Sequence, residues 1–289
     1  MKKILWLGST GFISQNILSF FKEKYCVDSP KREQLDLTDS DEVKQYIEKG
    51  NYDVIINTAT PTGQSGKDKS DDIFELSLRA FMSLANCYDL YGKMIYIGSG
   101  AEYGKHRAIQ NIKEEEFGCV LPKDSYGLAR FIMSELSTNS ANSDNSAKYN
   151  NIYNLRLFGC YGNTDPPFKL IPSILQNIKD GVKITLRQNV FFDFLYVKDI
   201  IPVFDYFINN TPQHNFYNLT SGKSILIGDI AFEICKQLGS DLPIVFQKDG
   251  LALEYTGNND RLRTEIPNWT PTSIEKGIME ILKNENIKF

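Results

Sequence analysis

Histidine is nearly missing from this chain. His106 and His214 are the only two, and neither stands near a second metal-ligating side chain, so no metal site is expected. Cysteine is sparse too: Cys26, Cys87, Cys119, Cys160 and Cys235 show no paired spacing and read as reduced thiols of a cytosolic protein. No apolar run reaches the length of a bilayer span, and the first residues read as a core strand, not a signal peptide. Charge of one sign is also lacking. The 32 basic residues against 36 acidic ones leave a net charge of -4, which gives no electrostatic reason to expect nucleic acid or a membrane surface as partner. There is no internal repeat.

What is present is organised around Met1 to Ser14, MKKILWLGSTGFIS. The apolar run Ile4 to Leu7 ends in Gly8-Ser9-Thr10-Gly11-Phe12-Ile13-Ser14, and the helical pattern Ile17, Leu18, Phe20, Phe21 follows. Strand, glycine turn and helix in that order are the context of a dinucleotide fingerprint. Gly8 permits a sharp turn, Gly11 lets the backbone approach a pyrophosphate, and the helix N-terminus offers free N–H groups to phosphate. Ser14 occupies the place where a third glycine helps helix and strand pack.

Further along, strands alternate with helices: Cys26-Val27, then a helix capped by Asp39 or Ser40 and running through Tyr46-Ile47, then the strand Tyr52 to Asn57. A polar, glycine-containing loop is expected over Thr60 to Ser70, a helix over Phe74 to Tyr91, the strand Met94 to Gly98, a long loop to Asp124, and a helix from Tyr126 to about Leu136. Ser137 to Asn151 is low-complexity Ser, Asn and Asp and reads as a solvated connection. Beyond it come the strand Asn154 to Phe158, helices near Phe168 to Ile178, Ile200 to Ile208, Ile227 to Leu238 and Ser273 to Leu282, and extended stretches at Val190 to Tyr196, Asn215 to Leu219 and Leu242 to Phe246. The expected fold is α/β, a Rossmann-type doubly wound parallel sheet with a smaller α/β C-terminal lobe. Residues 1–165 are expected to form the dinucleotide-binding domain and 166–289 the substrate lobe, with part of 190–220 returning to the sheet.

From Ser99 onward the chain resembles the extended short-chain dehydrogenase/reductase family. It is most similar to the nucleotide-sugar branch that includes GDP-fucose synthase-like and dTDP-4-keto-sugar reductase-like members. The resemblance runs almost end to end. It rests on Gly8-Ser-Thr-Gly-Phe-Ile, Asp36-Leu37, Asn57-Thr-Ala59, Ser99-Gly-Ala-Glu-Tyr-Gly104, Tyr126 with a basic residue four later, Arg156-Leu-Phe-Gly-Cys-Tyr-Gly162, Asp193-Phe-Leu-Tyr-Val-Lys-Asp199 and Trp269-Thr-Pro-Thr.

That resemblance implies three catalytic roles. Ser99 hydrogen-bonds the oxygen on the reacting carbon, Tyr126 gives or takes that oxygen's proton, and the basic residue after it holds the nicotinamide ribose and favours the tyrosinate. The family's lysine is Arg130 here. Arginine keeps the charge, but it is bulkier, planar and always protonated. The acidic pair that dehydratases carry after the serine is replaced by Gly100 and Ala101. The cysteine and histidine with which GDP-fucose synthase epimerises are Ala101 and Lys169. Simple hydride transfer remains, most directly reduction of the 4-keto group of a nucleotide-linked deoxysugar for a bacterial surface glycan. A 4-epimerase with tightly bound NAD(P), and a cofactor-binding protein that has lost catalysis through Arg130, stay open as alternatives.

For the cofactor, the resemblance assigns Gly8, Thr10, Gly11, Phe12, Ile13, Asp36, Leu37, Thr58, Ala59 and Thr60, together with Tyr126 and Arg130. Lys31 and Arg32 follow the second strand and suit a 2′-phosphate, so NADP(H) is expected; Asp28, an acid at that strand end, keeps NAD(H) open. Lys169, Arg187 and Arg261 are the cations expected for a substrate diphosphate. Phe158, Phe191, Phe192 and Tyr196 are available to stack on a base, with core packing as the alternative for most of them. A nucleotide diphosphate sugar is the expected substrate. A homodimer is expected through the helices Phe74–Tyr91 and Tyr126–Leu136, with Phe81, Leu84 and Leu128 facing outward.

Overall fold

The structure is a computed structural model that describes residues 1–59, 72–138 and 148–284. Thr60, the whole expected loop Thr60 to Ser70 and the middle of the Ser137 to Asn151 connection lie outside the described residues. The first half of the chain runs β1 (Lys3–Leu7), α1 (Phe12–Lys24), β2 (Cys26–Asp28), α2 (Ser40–Gly50), β3 (Val54–Asn57), α3 (Asp72–Ala85), β4 (Lys93–Ser99), β5 (Ile109–Ile112), α4 (Ser125–Thr138) and β6 (Ile152–Leu157). The second half continues with β7 (Gly159–Tyr161), α5 (Leu170–Lys179), β8 (Ile184–Asn189), β9 (Phe191–Phe192), β10 (Phe194–Tyr196), α6 (Ile200–Asn209), β11 (Phe216–Leu219), β12 (Ile225–Leu226), α7 (Ile227–Leu238), β13 (Ile244–Leu251), β14 (Tyr255–Gly257), α8 (Asp260–Glu265) and α9 (Ile274–Asn284).

Six strands form the central sheet in the order β11-β6-β4-β3-β1-β2, all parallel. β1 lies between β2 and β3. The chain therefore leaves β1 toward one edge and returns on its other side, and this reversal opens a crevice at the carboxyl ends of β1 and β3. β1 shows why the sheet is covered on both faces. Ile4 and Trp6 belong to one core cluster and Leu5 and Leu7 to the other, the two-residue alternation of a strand with apolar residues on both sides. α1 and α6 cover the first face; α2, α3 and α4 cover the second. α2 starts where its cap predicts, with Asp39 accepting from the N–H groups of Asp41 and Glu42. No helix among the described residues is long and apolar enough to cross a membrane.

The sequence reading differs from the structure at several places; β8 and α8 have no counterpart in it, and β13 runs past the expected Phe246. α3 stops at Ala85, short of the expected Tyr91, because bonds from residue i to i−4 give way to Cys87 N–H to Leu84 and Tyr88 N–H to Ala85, both i to i−3. β5 lies inside the expected long loop, in a four-stranded sheet of order β12-β9-β14-β5. Phe81 and Leu84, expected to face outward, point into the core; Phe81 packs against Tyr96 with ring centroids 5.1 Å apart. Leu128 is half-buried.

The C-terminal segment is tied back to the sheet by Asp199. Its carboxylate accepts from the Thr272 hydroxyl at 2.6 Å and the Thr272 N–H at 2.8 Å, and the Trp269 indole donates to the Asp199 carbonyl at 3.0 Å. The two distant motifs ending in Lys-Asp199 and beginning with Trp269 are thus one joint.

Candidate active site

The turn after β1 is shaped by close approach. Gly8 has φ +83°, and a Cβ there would lie 2.5 Å from the Ala59 nitrogen, so only glycine fits. The Gly11 N–H closes the turn on the Gly8 carbonyl at 3.0 Å. Gly11 caps α1 with extended backbone and no side-chain bond, which leaves the first-turn N–H groups of α1 without an intrahelical or capping acceptor. Gly11, Phe12, Ile13 and Thr58 all line one cleft. At the third position of the fingerprint, Ser14 accepts from the Trp6 indole at 2.8 Å and bonds the Thr58 hydroxyl at 3.0 Å, so a polar pin joins helix to sheet in place of glycine packing. The Ala59 N–H is held by the Asn57 side chain at 3.0 Å, and Thr10 is exposed with its carbonyl bonded by Gln15. A bare glycine cradle at an uncapped helix start fits a dinucleotide pyrophosphate.

Toward the expected adenosine end, Lys31 and Arg32 are exposed on the turn after β2. Asp28 is occupied. Its Oδ2 accepts from the Tyr46 hydroxyl at 2.9 Å and also from the Tyr52 hydroxyl. Burial and this carboxylate push Tyr46 up to about 12. Asp36 accepts from the Thr38 N–H at 2.9 Å and hydroxyl at 2.8 Å, bonds that hold its carboxyl below the ordinary range, and Leu37 packs half-buried against the sheet.

The cleft has a volume of about 760 Å³ and opens at the carboxyl edge of the sheet. Ser99, Tyr126 and Arg130 all line it. Ser99 ends β4, and its hydroxyl accepts from the Ala101 N–H at 3.1 Å. Tyr126 stands in the first turn of α4, with Arg130 one turn later on the same face. The Arg130 guanidinium carbon is 5.3 Å from the Tyr126 ring centroid, and its Nη1 donates to the Ile97 carbonyl at 3.2 Å. The side chain is buried, and its Nε is solvent-inaccessible with no hydrogen-bond partner.

Beneath Ser99 lies a charged network that no motif reading anticipated. Glu102 and Arg156 are both fully buried and paired at 2.6 Å. The other Glu102 oxygen accepts the Ser99 N–H at 2.8 Å, while Arg156 donates to the Tyr103 hydroxyl at 3.1 Å and the Ser134 hydroxyl at 2.6 Å. The pair fixes the turn that carries Ser99.

The expected substrate cations separate. Lys169 lines the cleft. Arg187 is exposed on β8 and is not part of the cleft wall. Arg261 is outside the cleft as well: it bonds Glu115 at 2.6 Å and the Phe216 carbonyl at 3.2 Å and lies 4.7 Å from the Phe216 ring, so its charge is already matched. Of the four aromatics, Phe158 and Phe192 line the cleft, whereas Tyr196 is buried in the core.

Three cleft residues were missed. Lys105 places its ammonium 4.4 Å from the Tyr255 ring centroid, and desolvation together with Lys169 lowers its pKa against the pull of Asp124. Asp165 is pushed up to about 7 by burial, with Lys169 opposing. Tyr255, buried on β14, comes from the far end of the chain. Lys105 and Asp165 had a signal, since each stands beside a quoted motif; Tyr255 had none.

The chain is similar to known sugar-nucleotide enzymes. A dTDP-4-dehydro-6-deoxyglucose reductase of Escherichia coli is 26% identical, the match covering 86% of this chain and 79% of the reductase. Among solved structures, a dTDP-4-dehydrorhamnose reductase of Clostridium acetobutylicum superposes with a TM-score of 0.82 at 17% identity, covering 99% of this chain and 100% of that one. RMD from Pseudomonas aeruginosa, complexed with NADPH, gives 0.81 at 18% identity over 98% and 97%. The model of the NAD dependent epimerase/dehydratase family matches residues 4–220, three-quarters of the chain and all of the cradle and the Ser99–Tyr126–Arg130 group, and the chain belongs to that family.

Proposed function

We propose that this protein reduces the 4-keto group of a nucleotide-linked deoxysugar with NADPH. The observation that carries the reading is the convergence of Ser99, Tyr126 and Arg130 in one cleft beside the uncapped start of α1, with Gly100 and Ala101 where an acid–base pair for dehydration would stand. The cofactor, held by Gly8, Gly11, Phe12, Ile13 and Thr58, supplies the hydride. The Ser99 hydroxyl donates to the keto oxygen and polarises it. Tyr126 delivers its proton to that oxygen as it becomes the alcohol. Arg130, in the cleft wall, keeps positive charge against the tyrosine and stands where the family's basic residue meets the nicotinamide ribose. Lys169 and Lys105 hold the anionic diphosphate portion.

The choice of NADPH rests on Lys31 and Arg32, two exposed cations at the β2 edge that suit a 2′-phosphate. The enzyme acts in the cytoplasm on precursors of a bacterial surface glycan. It does so as a homodimer joined through the outer faces of α3 and α4, where Phe74, Leu76, Leu128 and Ile132 are half-exposed and outside the core clusters. A sedimentation mass of one chain at micromolar concentration refutes the dimer.

The test of the reaction is NADPH consumption with a panel of 4-keto sugar nucleotides. Stoichiometric oxidation supports reduction. Sugar interconversion without net consumption supports a 4-epimerase, and cofactor binding without turnover supports a protein that has lost catalysis. Tyr126→Phe keeps cofactor binding and loses about a hundredfold or more in turnover; full activity in that variant removes the mechanism. Arg130→Lys retains turnover if arginine merely replaces the family's lysine.

A further inference from the structure

The loop between β7 and α5 brings two charged residues to the cleft. Tyr161 ends β7, and Gly162 passes so close to Val197 that a Cβ there would lie 2.3 Å from its Cγ1. Asp165 and Lys169 then line the cleft before α5 begins at Leu170. The direction of this loop is set at its start. Asp165 precedes Pro166, and Pro167 follows, so residues 165–167 have little backbone freedom. The Lys169 N–H closes a turn on the Pro166 carbonyl at 2.9 Å. Thr164 stands apart, with φ +63°, a left-handed conformation that a β-branched residue rarely adopts. Such a conformation persists only where the surrounding contacts hold it.

Those contacts come from the helix of the glycine cradle. Asn16 lies one turn beyond Phe12 on α1. Its Nδ2 donates to the Asn163 carbonyl at 2.7 Å and to the Thr164 hydroxyl at 3.1 Å, and also to its own helix at the Phe12 carbonyl, 2.8 Å away. The Asn163 side chain is met from α9 by the Asn284 amide, at 3.4 Å. The Asn163 backbone and the Thr164 side chain thus rest on one amide of α1, immediately before the stiff segment that leads to Lys169. We propose that Asn16 is a positioning residue: by holding the Asn163-Thr164 step, it aims Lys169 at the diphosphate of the sugar nucleotide. The helix whose start fits the cofactor's pyrophosphate also sets the loop that takes the substrate's diphosphate, so one amide fixes the two anion sites relative to each other. This inference rests on the reading of Lys169 as a cation for the substrate diphosphate.

The experiment titrates dTDP, UDP, GDP, CDP and ADP calorimetrically into NADP+-saturated wild type and follows the diphosphate that binds most tightly. Asn16→Ala weakens that binding about tenfold, the worth of one or two neutral hydrogen bonds, while NADP+ affinity and the urea unfolding midpoint stay near wild type. Asn16→Asp keeps the size of the side chain but turns its donor into an acceptor facing the Asn163 carbonyl, and it weakens binding at least as much. Lys169→Ala weakens binding about tenfold or more, the loss of a charge-assisted contact. In that background Asn16→Ala has no further effect, because its route to the diphosphate is already gone. Wild-type diphosphate affinity in Asn16→Ala or Asn16→Asp, an equal loss of NADP+ affinity, or an undiminished loss in the Lys169→Ala background each overturns the inference and leaves the reading of Lys169 standing. Wild-type affinity in Lys169→Ala, or a wild-type protein that binds none of the diphosphates, overturns that reading, and the inference with it.

Discussion

Removing Glu102 destabilises the protein and disables Ser99 by two separable routes. Glu102 and Arg156 are both fully buried, 2.6 Å apart. Glu102→Ala leaves a guanidinium in the interior with the hydroxyls of Tyr103 and Ser134 and the rings of Tyr103, Phe117 and Phe216 around it but no counter-charge bonded to it. Stranding one partner of a buried pair costs about 3–5 kcal/mol. With an unfolding entropy of about 2.1 cal/mol/K per residue over 289 residues, the loss lowers Tm by about 5–8 °C. The second route is local: the Ser99 N–H loses its acceptor at 2.8 Å, and the turn that aims the Ser99 hydroxyl is released. A double replacement, Glu102→Leu with Arg156→Met, separates the two. Apolar substitution of a whole buried pair is often neutral or better, so stability recovers toward wild type, whereas turnover stays low because the Ser99 N–H is still unpaired. The assay is urea unfolding of the two single variants and the double variant, with NADPH-dependent turnover on the same preparations. Single variants within about 1 kcal/mol of wild type, below the cost of any buried unpaired charge, refute the energetic reasoning. Full turnover in the double variant refutes the positioning.

Two further outcomes bear on cofactor and pH. Arg32→Ala weakens NADPH binding about tenfold or more, the worth of one charge-assisted phosphate contact, and leaves NADH binding nearly unchanged; equal losses for both cofactors, by titration, make Arg32 surface charge. Asp165 holds its proton up to about 7 in the folded chain against an ordinary 3.8, so the folded state binds more protons than the unfolded one between those values, and stability falls as pH rises through that window. Asp165→Asn therefore raises the urea midpoint at pH 8 and leaves it close to wild type at pH 3.5, and an equal difference at both pH values refutes the burial of that charge.

The parts of the site that were legible in the sequence are those carried by consecutive residues. The Gly8–Ser14 turn, the strand before it and the helix after it are contiguous; Ser99 ends a strand and Tyr126 starts a helix whose apolar period is clear, with Arg130 one turn later. The errors lie where the decisive contact is distant. Cys87, Leu90 and Tyr91 continue the apolar content of α3, yet the Tyr91 hydroxyl folds back to donate to the Leu84 carbonyl and the segment becomes a turn. β5 escaped notice because Asn111 takes φ +44°, which breaks the two-residue alternation that would mark Ile109–Ile112 as a strand. Arg261 read as a free cation because its neutralising carboxylate and ring come from Glu115 and Phe216. Tyr255 reaches the cleft that Ser99 lines from the far end of the chain, and no local pattern encodes such a meeting. The cofactor cradle is thus written in adjacent residues, while the substrate wall of Lys105, Asp165, Phe192 and Tyr255 is assembled by tertiary packing of segments that carry no motif. Substitutions there leave every fingerprint intact.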